Sequence, residues 1–320
     1  MTKKKRLLLI GLMVIVVLLG ILAILYPLIA SRVSEANRSE VRTEYEALMQ
    51  DSSLQDEYDR LLKEAESYNR KLFSGEYDRT KWSENGYYDQ LRLESTEVMG
   101  YIRIPRIDVN LPIFHGTEEL SALQRGVGHL EASSLPVGGE NTHAVLSAHT
   151  GMAESRMFTD LELLEPGDIF YVDILGETLA YQIMSDEDIT VVLPSEISSI
   201  AIERGEDLVT LVTCTPYGIN THRLLVTGHR IDLEVAEELE EKTDVLETDN
   251  RGSVWTQEYL NTIINGLLLS ALFCVVFIII VLLLRKHDRR KRRAARAAIR
   301  AAEAEAFKAM AESEEGASDD

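Results

Sequence analysis

Leu208-Val209-Thr210-Leu211-Val212-Thr213-Cys214, then eight residues from Thr215 to His222, then Arg223-Leu224-Leu225-Val226: this stretch decides how the chain is read. Two apolar, β-branched runs flank a segment containing Pro216 and Gly218, a pattern that predicts a hairpin. In an antiparallel pair, the residue closing one strand and the residue opening the next face each other across the loop mouth. The thiol of Cys214 and the guanidinium of Arg223 are therefore expected to be neighbours. Arg stays protonated and can stabilise a developing oxyanion, so the pairing suits acyl transfer by a sulfur nucleophile. Such chemistry also needs a proton shuttle, and His149, closing the run Ala144–Ala148, is the best-placed candidate. Thr213 and Thr215 flank the nucleophile and could line the oxyanion site, and His222 beside Arg223 is a further site-lining candidate.

Outward from this stretch, the chain from Met99 on reads as short strands with turn residues between them. Candidate strands are Gly100–Ile104, Val109–Phe114, Ala144–Ala148, Ile169–Ile174, Thr178–Met184, Ile189–Leu193, Leu208–Cys214 and Arg223–Ile231. Pro105, Pro112, Gly138-Gly139, Pro166-Gly167, Gly176 and Pro194 punctuate them, and Ile197–Ile202 reads as a short connecting helix. So many short strands in so little chain argue for a closed barrel or a sandwich. Upstream, Val41, Tyr45, Leu48, Tyr58, Leu61 and Leu62 recur at helical spacing, predicting one or two amphipathic helices over residues 31–72. Residues 74–90 are polar, aromatic and loop-like.

Two runs are committed elsewhere. Leu7–Ala30 and Ile263–Leu284 are almost unbroken apolar stretches, each long enough to cross a bilayer as a helix at about 1.5 Å per residue. Lys3-Lys4-Lys5-Arg6 precede the first, and Arg285, Lys286 and Arg289–Arg293 follow the second. The positive-inside tendency puts both ends in the cytoplasm and the segment between them outside. The first run is longer than the core of a cleaved signal peptide, so it reads as an anchor. Trp255 and Tyr259 stand where an aromatic belt would meet the outer interface, and the basic cluster would touch anionic lipid.

Charge follows the same division. Of 33 basic and 53 acidic residues, 19 and 45 fall within residues 31–260. So acidic an outer segment repels phosphate, which excludes nucleic acid as a partner. Cys274 lies inside the second apolar run, leaving Cys214 without a partner for a disulfide in the outer segment. There is no Cys-x-x-Cys or His-Glu-x-x-His; the acidic runs Asp186–Asp188 and Glu203–Asp207 lack the spacing of a calcium loop and read as solvated surface. No metal and no cofactor is expected. His115, His129 and His229 read as structural, and His143 lies six residues before His149, near the start of the same strand.

The joint pattern carries a resemblance. Thr-Leu-x-Thr-Cys ending one strand, an eight-residue loop and an Arg starting the next resemble a sortase, a cysteine transpeptidase of Gram-positive cell walls. The likeness runs from Met99 to about Ile231. It includes Gly100-Tyr101-Ile102-Arg103-Ile104-Pro105, Leu111-Pro112-Ile113-Phe114-His115-Gly116, Gly126-Val127-Gly128-His129-Leu130, Leu135-Pro136-Val137-Gly138-Gly139, Asn141-Thr142-His143 and Ser147-Ala148-His149. Cys214-Thr215-Pro216-Tyr217-Gly218-Ile219-Asn220-Thr221-His222-Arg223 is similar to the pilin-polymerising subgroup, class C.

The resemblance implies an all-β fold class: a closed eight-stranded sortase-type β-barrel, here with N-terminal helices and two transmembrane helices. It implies Cys214 as nucleophile, His149 as acid/base and Arg223 as the guanidinium. It also implies cleavage of an LPxTG-like sorting signal between Thr and Gly, a thioester on Cys214, and transfer to a lysine amine of another pilin. Rival readings are a sortase that anchors single surface proteins to cell-wall peptide, and a non-catalytic membrane scaffold. Class C members usually cover the site with an Asp-Pro-aromatic lid. This chain has Asp78-Arg79-Thr80-Lys81-Trp82, without the proline, so Asp78 and Trp82 are candidate lid residues, Asp78 to pair with Arg223 and Trp82 to pack over Cys214.

The expected organisation is a cytoplasmic basic N-terminus (1–6), a first span (7–30), an extracellular helical segment and lid (31–98), the barrel (99–231), an acidic stalk (232–262), a second span (263–284) and a cytoplasmic tail (285–320). The partners expected are pilin or surface proteins bearing LPxTG-like signals, and membrane lipid. The oligomeric state is left open.

Overall fold

A computed structural model describes residues 3–117, 120–152, 155–196, 200–244 and 254–316. The chain divides into two compact units, one of residues 1–26 and 260–320, the other of residues 27–259. The second unit holds the sheet and the candidate site.

Eight strands close a ring. β1 (Val98–Ile104) pairs antiparallel with β2 (Val109–His115), and after α3 (Leu120–Arg125) β2 pairs parallel with β3 (Val127–His129). β3 pairs antiparallel with β4 (Thr142–Ser147), which lies parallel to β8 (Asp207–Thr215). β8 and β9 (His222–Ile231) form the predicted hairpin. β9 then pairs with β6 (Glu177–Gln182), β6 with β5 (Ile169–Ile174), and β5 with β1, which closes the barrel. A ninth strand, β7 (Ile189–Val192), extends β6 along the same edge of β9.

The predicted number of barrel strands is right, but one member differs. β7 is an accessory strand, and the three-residue β3 takes its place in the ring. β3 escapes a pattern search because Gly126 and Gly128 interrupt it. A Cβ on Gly128 would stand 2.4 Å from the Gly116 carbonyl, so the parallel β2–β3 approach excludes any larger residue.

Alternate side chains fill the barrel. Ile102, Ile104, Leu111, Ile113, Ala144, Leu146, Phe170, Val172, Val209, Leu211, Leu224 and Val226 form one buried cluster. Helix α2 (Gln55–Ser74) closes against it with Tyr58, Leu61, Ala65, Tyr68 and Leu72, the spacing of a single helix face. Asn69 fastens this helix as a strand would: its Nδ2 donates to the Leu135 carbonyl at 2.9 Å, and its Oδ1 accepts from Leu135 N at 2.7 Å.

All-β describes only this barrel. Helices α1 (Lys3–Met49, 47 residues), α2 (20 residues), α4 (Leu233–Asp244, 12 residues) and α5 (Val254–Gly316, 63 residues) make the chain as a whole mixed. The physical cause is the apolar and Leu/Glu/Arg-rich stretches outside the barrel, which satisfy their backbone groups locally as helices. Among the described residues, one stretch, Ile263–Ala302 in α5, is long and apolar enough to span a membrane. α1 is helical throughout Leu7–Ala30 and continues without a break to Met49. α4 begins where a solvated stalk was expected. Ala236 is instead fully buried with Ile169, Tyr171 and Ala180, and the Tyr171 hydroxyl donates to Glu240. Of Ile197–Ile202, residues 197–199 lie outside the described set; Ile200 is in a 3-10 turn and residues 201 and 202 have no regular structure.

Candidate active site

The hairpin register places Cys214 directly opposite Arg223, and Thr215 opposite His222. β4 runs parallel to β8 with Ser147 beside Val212, and the alignment continues past the strand end. Ala148 N donates to the Val212 carbonyl at 3.1 Å, and Thr213 Oγ1 donates to the Ala148 carbonyl at 2.9 Å. His149, the next residue, therefore follows β4 at the level of Cys214, near the end of β8. Three separate strand ends bring the three residues to one corner of the barrel.

Cys214 and Arg223 also share a face. Val145, Val212 and Leu225 form an outward cluster, covered by Leu130, Val192 and Ile200. Because side chains alternate along a strand, Cys214, two residues after Val212, and Arg223, two before Leu225, continue that outer face. His149 stands two residues beyond the end of β4. All three are half-buried, as a site open to substrate requires. Cys214 is a free thiol. Arg223 Nη1 donates to the carbonyls of His222 at 3.0 Å and Asn220 at 3.3 Å, which holds the guanidinium at the base of the loop. Ile219 N and Asn220 N both donate to the Pro216 carbonyl at 3.0 Å, closing the loop above it.

The other candidates divide. Thr215 and His222 flank the site, and His222 Nδ1 lies 2.9 Å from Thr221 Oγ1. Thr213 does not line it: the residue is buried and its hydroxyl is committed to Ala148, so it positions the end of β4. The expected lid contacts are also replaced. Asp78 Oδ1 accepts from Thr80 N at 2.9 Å and Thr80 Oγ1 at 2.8 Å, which holds its carboxyl below the usual carboxylate range. Trp82 packs edge-on against Tyr87 and Tyr88, with ring centroids 6.2 and 5.6 Å away. The local turn satisfies Asp78, and the aromatic core captures Trp82. The segment is nevertheless docked, through a residue the sequence did not single out. Arg79 Nε donates to the Ala132 carbonyl at 2.7 Å and Nη2 to the Ile200 carbonyl at 3.4 Å.

The remaining histidines are scaffold. His143 lies between the Ala201 carbonyl (2.7 Å) and Thr210 Oγ1 (2.6 Å), and burial lowers its pKa. His129 is wholly buried, 2.9 Å from the Tyr87 hydroxyl and 2.7 Å from the Ser134 carbonyl. Desolvation pulls its pKa down to about 4, so it is neutral at pH 7. His115 is lowered too, again chiefly by burial. His229 contacts Asp188 and Glu206 at 3.1 and 3.6 Å. Among the described residues no group of three or more His, Cys, Asp or Glu is arranged to hold a metal ion.

Comparison with known proteins places this geometry. Residues 102–231 match the Sortase domain model, and the match contains all three strand ends. The chain is 45% identical to Clostridium perfringens sortase C, solved with its C-terminal cell wall sorting motif, covering 61% of this chain and 100% of that one (TM-score 0.53). The chain belongs to the sortase family. Within it, this sortase is of class C. Streptococcus pneumoniae sortase C, whose structure was described in terms of catalysis and pilin substrate specificity, is 40% identical over 60% of this chain and 97% of that one (TM-score 0.51). Sortase A of Staphylococcus aureus is 27% identical over 134 residues, 41% of this chain, and the sortase described here spans only 62% of that relative's length.

Proposed function

We propose that this sortase is a membrane-anchored cysteine transpeptidase that polymerises pilin subunits. The observation that supports the reading is the register that sets Cys214 opposite Arg223 and aligns the end of β4, which leads into His149, with the end of β8. The Cys214 thiolate attacks the Thr carbonyl of an LPxTG-like signal, and Arg223 stabilises the tetrahedral oxyanion. The Thr–Gly bond breaks, His149 gives its proton to the leaving amine, and the acyl group remains on sulfur as a thioester. A lysine amine of the next pilin then attacks, loses a proton to His149 and expels the thiolate, leaving an isopeptide bond. The apolar runs Leu7–Ala30 and Ile263–Leu284 serve as two spans, with both termini cytoplasmic and the barrel outside. Class C likeness supports the lysine acceptor over cell-wall peptide, and residues 78–82 serve as a short cover anchored by Arg79.

The test uses the full chain in detergent with an LPxTG-type peptide and a pilin fragment as lysine donor. Isopeptide product is expected at a rate about 100-fold or more lower in His149→Ala and Arg223→Ala. Product made only with cell-wall peptide as acceptor would turn the reading to single-protein anchoring, and product formed equally by Cys214→Ala would end it.

A further inference from the structure

The loop leaving His149 is held from outside the barrel. Phe158 N donates to the His149 carbonyl at 3.1 Å and Gly151 N to Thr159 Oγ1 at 3.0 Å, so the chain returns on itself just after the histidine. Tyr217, in the loop between Cys214 and Arg223, lies against Gly151, its ring 3.3 Å from where a Cβ would stand. One loop thus touches the surroundings of all three candidate catalytic residues.

Within that loop Ser155 is buried, and its hydroxyl meets α1. Arg38 Nη1 donates to Ser155 Oγ at 3.0 Å and to Ser34 Oγ, one turn back on its own helix, at 2.7 Å. The stretch of α1 that carries Arg38 is itself fixed. Two turns further on, the Tyr45 hydroxyl donates to the Met99 carbonyl at 3.4 Å and accepts from Leu175 N at 3.0 Å, and Tyr45 packs with Val98, Tyr101 and Phe114. Arg38 therefore reaches the histidine loop from a helix already seated on β1 and β2, in the same compact unit.

We propose that Arg38 is a positioning residue for His149, holding the loop that follows it through Ser155. The proposal rests on the transpeptidase reading above and adds to it a part for α1 beyond anchorage. A histidine that exchanges protons with two successive amines needs a fixed ring position, and small displacements of such a group are costly in rate. One guanidinium nitrogen makes both hydrogen bonds, so a lysine ammonium can replace it where an alanine cannot.

The test compares Arg38→Ala, Arg38→Lys and Ser155→Ala with the native full chain in detergent, by amide hydrogen exchange and by steady-state kinetics. Arg38→Ala is expected to speed exchange of the Phe158 amide, which caps the His149 carbonyl, and to lower kcat about tenfold with KM within about twofold. Ser155→Ala should move both in the same direction, and Arg38→Lys should restore both to within about threefold of native. Unchanged Phe158 exchange in Arg38→Ala, an unchanged kcat, or a lysine variant as impaired as alanine would each overturn the proposal. The exchange measurement needs no peptide. Native protein that forms no acyl adduct would thus count against the transpeptidase reading, while Phe158 exchange still decides whether Arg38 holds the loop.

Discussion

At the scale of single residues, the barrel separates histidines by environment. His149 stands half-buried at a strand end, whereas His129 is enclosed by Tyr87, Ser133 and Ser134. Its folded pKa, about 4, lies below the unfolded value near 6.5. Above pH 6.5 the group is neutral in both states and costs nothing. As pH falls from 6.5 to 4 the unfolded chain takes a proton that the folded chain refuses, so stability drops, by about 3 kcal/mol over the window. Urea titrations of native protein and His129→Gln across that range should therefore diverge, the native curve falling more steeply; parallel curves would show that His129 is not held neutral. The candidate trio stands out in the sequence because each member closes or opens an apolar run. Thr213 and Asp78 were misread for a common reason: a sequence shows that a hydroxyl or carboxylate is near a site, not which backbone group it will satisfy first.

Elements are governed by close backbone approaches. β1 meets β5 at Tyr101 and Asp173, and a Cβ on Gly100 would stand 2.2 Å from the Asp173 carbonyl and 2.3 Å from Ile174 Cδ1. Neither strand can retreat without opening the ring, so Gly100→Ala should destabilise the barrel by about 3 kcal/mol, read as a lower urea midpoint at unchanged slope. An unshifted midpoint would mean that β1 and β5 are not so tightly apposed. Helix α1 is tied by a different means. Tyr45→Phe removes the hydroxyl that joins Met99 to Leu175 and leaves the Leu175 N–H unpaired, at a cost of about 1–2 kcal/mol. A variant as stable as the native chain would place the attachment of α1 elsewhere, in its apolar contacts. Most strands were visible from alternation and turn residues, within a residue or two at each end. β3 was not, because its glycines serve the β2 backbone and not the core. The docking of α4 was hidden as well: Ala236, Leu239 and a Glu240 hydrogen bond carry it among many glutamates, and acidity alone suggests solvent.

The whole molecule combines a barrel whose outer face carries the candidate site with long helices rich in apolar residues. Its charge balance, net −20 overall, gives it a field that repels phosphate. Sequence motifs reached the family because the residues that carry the likeness cluster at strand ends, and strand ends are legible. They did not reach the helix that braces the histidine loop. The Arg38–Ser155 contact spans 117 residues and leaves no local pattern. The proposed reaction turns on Cys214 carrying the acyl group. Its most direct test is the intact mass of the full chain after incubation with an LPxTG-type peptide. A mass gain equal to the peptide up to its Thr is expected, located on Cys214, absent from Cys214→Ala and discharged by an added lysine amine. Peptide cleavage with Cys214 unmodified, or an adduct that persists in Cys214→Ala, would contradict it.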